Sequence, residues 1–299
     1  MNMNSITVLM STYNGSKYLR EQIDSIFSQK NVCVSLLVRD DGSKDETREI
    51  LEEYKKKKEV KWYSGDNLGS AKSFFNLLTV APESDYYAFC DQDDLWDIDK
   101  LSIAISYLEG KTDKYAIYCC GTRIVDKDLN IIEMHKLDSR RSLTTHMIIA
   151  GVSGNTVVIN KKLKDKLIQH IPRNIIMHDS WCFKVAICLG ADVFIDPEPH
   201  ISYRQHENNV VGMETSLKAK VNKFFAIINE KDIYKQLMEI KDVYSIEILP
   251  NYFQVLKLIE GNKKSIYKKM KLLFREDINF YNYFFNLAFK IKVITNHFS

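Results

Sequence analysis

Tyr86-Tyr87-Ala88-Phe89-Cys90-Asp91-Gln92-Asp93-Asp94 is the stretch that decides the fold. Five apolar residues without alternation read as a strand buried on both faces, the habit of a parallel sheet. Three carboxylates in the next four residues repel one another and resist desolvation. An enclosed tip of this kind needs a cationic partner. A divalent ion carrying a diphosphate fits, because hard oxygen ligands suit Mg²⁺ or Mn²⁺. The carboxyl end of a parallel strand is also where open α/β sheets bind ligands. On a solvated loop the same cluster would need no partner, so the flanking chain has to decide.

Upstream, residues 6–11 read as a first buried strand. Residues 18–29 repeat apolar side chains at Leu19, Ile23, Ile26 and Phe27 with a helical period. Residues 34–38 form a second strand that ends in Arg39-Asp40-Asp41-Gly42. Ser43-Lys44-Asp45-Glu46 has the form of a capping box, opening a helix through about Tyr54. Residues 60–63 are a short third strand. After Asn67-Leu68-Gly69, a helix from Ser70 carries Phe74, Leu77 and Leu78 on one face. Strands alternating with helices specify an α/β fold with a mostly parallel, doubly wound sheet.

Downstream the pattern is mixed. Residues 115–120 and 121–125 are strand material, followed by an Asp126-Lys127-Asp128 turn. Residues 156–159 read as a strand, and residues 179–189 as a helix closed by Gly190. Residues 191–195 and 201–204 read as short strands. A boundary near residue 215 separates a 1–215 α/β domain from a helical 216–299 region.

The 299 residues, 45% of them hydrophobic, allow one large domain or two smaller ones. No fixed-period repeat or low-complexity stretch appears. Six cysteines without a CxxC pair read as small core residues of a reducing compartment. Residues 6–10 are too short for a signal core and lack a basic lead. No apolar run approaches the length of about eighteen residues that marks a membrane span. Charge is uneven: from Asn251 onward nine Lys/Arg face three acids, giving +6 and leaving the first 250 residues at −3. The same tail holds eleven aromatics.

The ends of strands one, two and four carry polar tips: Ser11-Thr12-Tyr13-Asn14-Gly15, Asp40-Asp41-Gly42-Ser43 and the acidic tetrad. In a parallel sheet these tips converge on one edge. A nucleotide suits that edge, since a carboxylate accepts from a pyrimidine N3–H or a ribose hydroxyl and an aromatic ring stacks on a base. Neither G-x-G-x-x-G nor a Walker A loop is present, which disfavours dinucleotide and P-loop readings.

Thr12-Tyr13-Asn14, Asp40-Asp41-Gly42-Ser43, Asn67-Leu68-Gly69 and Asp91-Gln92-Asp93 together resemble the successive motifs of family 2 glycosyltransferases with the GT-A fold, over about residues 5–212. The resemblance implies a nucleotide-sugar donor and inversion of the anomeric centre. It places Thr12, Tyr13 and Asn14 at the nucleotide and Asp41, with Asp40, at the base. Lys72 stands near the nucleotide, Asp91 at the ribose or donor sugar, Asp93 at the metal and Asp94 at the sugar or the loop. Asp40 and Asp41 also suit a plain turn before Gly42.

Inversion needs one base to take the acceptor proton. The family's acidic pair before a helix falls here on His178-Asp179-Ser180-Trp181, with His178 in place of the commoner Glu. The resemblance thus makes Asp179 the base. Asp179 is equally a good helix N-cap, and the helix dipole there would lower its pKa. Trp181 reads either as an acceptor platform or as core.

Tyr203-Arg204-Gln205-His206 follows, without the Gln-x-x-Arg-Trp motif of the polymerising members. A processive synthase is therefore not expected; the Tyr-Arg-Gln-His form, together with the Asp91-Gln92-Asp93-Asp94 tetrad and Trp96, is similar to bacterial rhamnosyltransferases and related enzymes of capsule, O-antigen and cell-wall polysaccharide. In that reading Arg204 neutralises phosphate charge and His206 adds a metal or diphosphate contact. The donor would be dTDP-rhamnose or a UDP-hexose, and the acceptor a lipid-linked glycan. A nucleotidyltransferase and a non-catalytic glycan-binding relative are the competing classes. The first wants a glycine-rich phosphate loop after strand one, and the second tolerates loss of the acidic residues. Nucleic acid is not expected as a partner.

In the tail, Phe280, Phe284, Leu287 and Ile291 share one helical face beside a basic block at 263–271. A basic-aromatic helix of this kind lies on a bilayer or packs as a subdomain or dimer contact. The expected location is cytoplasmic, peripheral on the inner face of the cell membrane.

Overall fold

The apolar run at 86–90 is a strand buried along its whole length, parallel to the first strand of the chain, with Met10 opposite Cys90. The computed structural model describes residues 4–57, 60–205 and 232–295. Its strands are β1 (Ser5–Thr12), β2 (Cys33–Asp40), β3 (Val60–Ser64), β4 (Tyr86–Cys90), β5 (Leu95–Trp96), β6 (Ala116–Val125), β7 (Ile131–His135), β8 (Val158–Asn160) and β9 (Asp192–Arg204). The helices before residue 206 are α1 (Leu19–Phe27), α2 (Thr47–Lys57), α3 (Ser70–Val80), α4 (Lys100–Leu108), α5 (Leu143–Ile148), α6 (Lys161–Leu167) and α7 (His178–Cys188). Those after residue 231 are α8 (Asp232–Val243), α9 (Pro250–Gly261), α10 (Ile266–Leu273) and α11 (Tyr283–Ile294).

The strands form one sheet in the order β3-β2-β1-β4-β8-β6-β9-β5, with β7 attached to β6. β3, β2, β1 and β4 are mutually parallel, while β8 runs antiparallel to its neighbours β4 and β6. The chain winds outward from β1 to β3 and then returns past β1 to β4. That reversal leaves a crevice outside the carboxyl ends of β1 and β4, where doubly wound sheets hold ligands.

Both faces of the sheet are covered, which is why its strands read as unbroken apolar runs. Tyr87 and Phe89 point to the layer that holds α3, α5 and α7; Tyr86, Ala88 and Cys90 point to the layer that holds α1, α2 and α4. A large apolar side chain buried this way, such as Phe89, contributes about 1.5–3 kcal/mol of transfer free energy.

Several local expectations change. The capping box does not form: α2 begins at Thr47, and the Asp45 carboxylate accepts from the Thr47 and Ser16 N–H groups instead. The two short strands at 191–204 are one strand, β9. Its prolines fit because the β6–β9 register slips after Cys120. At the slip a Cβ on Gly121 would lie 2.6 Å from the Pro197 carbonyl oxygen, so only glycine allows this approach. The Asp126 turn forms as expected, its carboxylate capping the Asp128 and Asn130 N–H groups. All six cysteines are free, and Cys33 alone among them is exposed.

The boundary expected near residue 215 lies outside the described residues. Beyond it, α8, α9 and α11 place Leu237, Ile240, Val255, Leu256, Ile259, Phe289 and Val293 in the same apolar cluster as Trp181, Phe183 and Ile187 of α7. Polar ties join the two parts as well. Gln236 accepts from Lys184 Nζ at 2.7 Å, and Glu239 accepts from the N–H groups of Arg173 and Asn174. Among the described residues no helix is long and apolar enough to cross a membrane.

Candidate functional site

Three strand tips meet at the crevice, and their side chains mostly fasten one another. Thr12 is fully buried, its Oγ1 3.4 Å from the Asp40 carboxylate. Asp40 is buried too and accepts from Arg48 Nε at 2.7 Å and from the Ser43 N–H. Asp41 pairs with Arg39 and accepts from the Leu68 and Gly69 N–H groups at 3.0 and 2.9 Å. It therefore holds the Asn67-Leu68-Gly69 loop at the N-terminus of α3, where a carboxylate is stabilised by the helix dipole. Asn14 adopts a left-handed φ of 49°, its Oδ1 accepts from the Lys44 N–H, and its own N–H donates to Ser43 Oγ. Thr12 and Asp40 are thus buried in the floor, while Asn14 braces the loop from an exposed position. Tyr13, nearly half exposed, and Lys72, exposed on the first turn of α3, remain open to a ligand.

The acidic tetrad divides in two. Asp91 and Asp93 are partly exposed at the crevice, whereas Asp94 is fully buried. Asp94 accepts from Asn155 Nδ2 and, at 3.2 Å, from the Arg204 N–H. Burial, then repulsion from Asp93 and Asp91, drives the Asp94 carboxyl far above the usual carboxylate range. Beneath it the buried Lys100 ammonium lies 3.5 Å over the Trp96 ring. Burial lowers its pKa to about 8, against the attraction of Cys120, Cys90 and Asp94. Gln92 was not foreseen. Its side-chain amide accepts from the Tyr13 N–H at 2.9 Å and donates to the Tyr13 carbonyl at 3.2 Å, locking the tetrad loop to the tip of β1.

Asp179 sits in the first turn of α7 and faces the tetrad. Asp91 is pushed up to about 7 by burial first, then by repulsion from Asp93 and from Asp179. Burial raises Asp179 to about 6, against the Ser180 N–H, the Lys184 charge and the Gly154 N–H. The helix position had suggested a lowered pKa. Desolvation outweighs the N-terminal amides because the carboxylate is only 6% exposed. His178 is stacked on Phe74 at 4.0 Å and edge-on to Phe89 at 4.7 Å, and burial alone lowers it to about 3. It is a neutral ring in an aromatic cleft, so the site keeps one carboxylate where an acidic pair would place two.

Other expectations are corrected. Trp181 is fully buried in the core and presents no surface to an acceptor. Arg204 is 2% exposed, and its guanidinium already pairs with Glu21 at 2.5 Å, reaches the Asp93 and Lys127 carbonyls and covers the Tyr18 ring. It braces the tetrad loop from behind. His206 lies outside the described residues. A separate group, Asp97, Asp99 and His200, brings ligand atoms within 4.8 Å of one another near the β5–β9 edge. Asp97 there is already neutralised by Arg123, which makes it the poorer cation host.

The loop before β8 joins the two acidic elements. Asn155 holds Asp94, and a Cβ on Gly154 would lie 2.7 Å from His178 Nε2 and 3.5 Å from the Asp179 Cβ. The imidazole is clamped between two phenyl rings and has no room to yield. Gly154→Ala is expected to cost about 1–3 kcal/mol of stability by overpacking and to slow catalysis by displacing Asp179. A denaturation midpoint equal to that of the unsubstituted protein would contradict this packing.

Known proteins bear on this geometry. Residues 7–188 match the family described as Glycosyl transferase family 2. The dTDP-rhamnosyl transferase RfbG of Shigella flexneri is 32% identical over 243 residues, covering 74% of this chain and 80% of that one. Among solved structures, S. aureus TarS 1-349 in complex with UDP-GlcNAc superposes with a TM-score of 0.62 at 16% identity, over 98% of this chain and 80% of that one. The mannosyltransferase PcManGT from Pyrobaculum calidifontis, in complex with GDP-Man and Mn²⁺, gives 0.57 at 14% identity, over 98% and 85%. The fold is the expected GT-A architecture, and with the family match over most of the sheet the chain belongs to glycosyl transferase family 2.

Proposed function

We propose that this protein is a metal-dependent, inverting glycosyltransferase that moves a sugar from dTDP-rhamnose or a UDP-hexose to a lipid-linked glycan acceptor in polysaccharide synthesis, at the inner face of the cell membrane. The observation that carries the proposal is the pairing of Asp179 with the tetrad. A buried carboxylate raised to about 6 faces Asp91 and Asp93 across one crevice. The name of the Shigella relative supports the rhamnosyl donor, and the UDP-GlcNAc and Mn²⁺ complexes of the two fold neighbours support a nucleotide sugar and a divalent ion.

The residues fit a divalent cation: Asp91 and Asp93 offer partly exposed oxygens whose mutual repulsion a cation would relieve. When bound, such an ion supplies positive charge to the leaving diphosphate, so no general acid is needed. Asp179 accepts the acceptor hydroxyl proton. The acceptor oxygen forms the new bond to the anomeric carbon from the face opposite the diphosphate, while the bond from the anomeric carbon to the diphosphate oxygen breaks and its electron pair leaves with the nucleoside diphosphate. Tyr13 stacks on the base, Lys72 meets the phosphates, and Asp41 holds the loop that bounds the base.

The test is a thermal-shift panel of dTDP-rhamnose, UDP-glucose, UDP-GlcNAc and GDP-mannose with Mn²⁺. A donor at a hundred times its Kd stabilises by about 2.7 kcal/mol. One dTDP or UDP donor should raise Tm by several degrees and support transfer. No response to any of the four would overturn the donor reading.

A further inference from the structure

Six large apolar side chains on α10, α11 and the loop between them are more than half exposed: Ile266, Tyr267, Phe274, Tyr283, Phe284 and Ile294. The two helices touch, and Lys269 Nζ donates to the Ile294 carbonyl at 2.9 Å. The helical face expected from the sequence is shifted. Phe280 precedes α11 and is buried against Phe289, because Asn282 caps the helix two residues later. The exposed side is instead Tyr283, Phe284, Leu287 and Ile294, beside Lys290.

Charge surrounds these side chains. Residues 263–292 hold eight Lys/Arg and two acids, and one of those acids, Asp277, is already paired with Arg275 at 2.7 Å. Lys263, Lys264, Lys271 and Lys290 are exposed. Exposed aromatics in this number are uncommon on a surface that stays in water. A second copy of the same face, with its four exposed lysines, would be repelled, whereas an anionic bilayer gains from both the aromatics and the lysines.

We infer that α10, α11 and their loop form a docking face for an anionic lipid bilayer. This rests on the glycosyl-transfer reading for its purpose, since the surface is tied to the site. The loop carbonyls of Asp277, Asn279 and Phe280 accept from Ser142, Thr145 and Arg141 at the start of α5. The segment after α5 supplies Gly154 and Asn155, which touch His178 and Asp94. A protein seated on this face holds its acidic crevice in fixed relation to the lipid headgroups, where a lipid-linked acceptor emerges.

Truncation cannot test this, because Val255, Leu256 and Ile259 belong to the shared core. The full chain and Phe274→Asp/Phe284→Asp should be floated with vesicles of phosphatidylcholine alone and of phosphatidylcholine with phosphatidylglycerol at about three to one. The unsubstituted chain should float with the anionic vesicles only and be released by salt. The double variant should lose more than tenfold in partitioning while keeping its Tm and its donor-induced thermal shift. Lys263→Glu/Lys264→Glu should lose at least as much, at about fivefold per exposed lysine. Failure of the unsubstituted chain to float overturns the docking face, as does equal flotation of Phe274→Asp/Phe284→Asp or conversion of a dimer to a monomer by that variant. A retained donor shift in those cases leaves the glycosyltransferase reading standing, and its absence with intact flotation does the reverse.

Discussion

Asp179→Asn is expected to lower kcat for sugar transfer by roughly 10²–10⁴-fold, the usual range for loss of a general base, without loss of donor binding. The amide keeps the shape of the carboxylate, and its oxygen can still accept from the Ser180 N–H. What it cannot do is take a proton from the acceptor hydroxyl.

Stability should move the other way, which separates this loss from misfolding. Burial raises Asp179 from the ordinary 3.8 to about 6. A carboxyl with a raised folded pKa contributes stability that is full below its unfolded pKa and lost as pH rises through the folded one. At pH 8 the ionised group is thus a cost of order 2–3 kcal/mol, which Asn removes. The variant should be at least as stable as the unsubstituted protein at pH 8, and the two should converge near pH 4. In the unsubstituted enzyme kcat/KM should rise with pH through about 6 to 7 as Asp179 and Asp91 ionise. Substantial transfer by folded Asp179→Asn would remove Asp179 from the role of base, and a variant less stable than the unsubstituted protein at pH 8 would overturn the cost assigned to the buried charge.

The sheet was legible because its strands are buried on both faces, and residues 6–10 and 86–90 say so without ambiguity. The acidic tip was legible because three carboxylates in four residues have few structural excuses. Composition does not tell which way a side chain turns. Arg204 and Trp181 have the right chemistry for phosphate and sugar, yet one is spent on Glu21 and main-chain carbonyls and the other lies in the core. Gln92 was missed for the opposite reason: an amide carries no charge to mark it, and its partner lies 79 residues away in sequence. The Ser153-Gly154-Asn155 turn invites an acceptor-pocket reading from sequence, whereas Asn155 is buried and holds Asp94. α4, α5 and α6 are short, and their places are settled by packing against the sheet more than by periodicity.

Asp93→Asn should abolish cation-dependent donor binding and reduce transfer by roughly 10³-fold, since charge stabilisation of a leaving diphosphate is worth several kcal/mol. The stronger test is thermal and needs no substrate. Both Asp91 and Asp94 are raised in part by the Asp93 charge. Without an ion, Asp91 is protonated below about 7, and its contribution to stability is lost as pH rises through that value. A divalent cation must displace that proton at pH 5 but meets ready carboxylates at pH 8. The Tm gain from Mn²⁺ should therefore be larger at pH 8 than at pH 5. In Asp93→Asn the repulsion is relieved beforehand, so the variant should start more stable at pH 8 and gain little from Mn²⁺ at either pH. The Asp97, Asp99 and His200 group supplies an internal control, because Asp97→Asn leaves the tetrad untouched and should leave the Mn²⁺ response unchanged. If Asp97→Asn removes the response and Asp93→Asn does not, the cation belongs to the β5–β9 edge and the tetrad must be neutralised by protons alone.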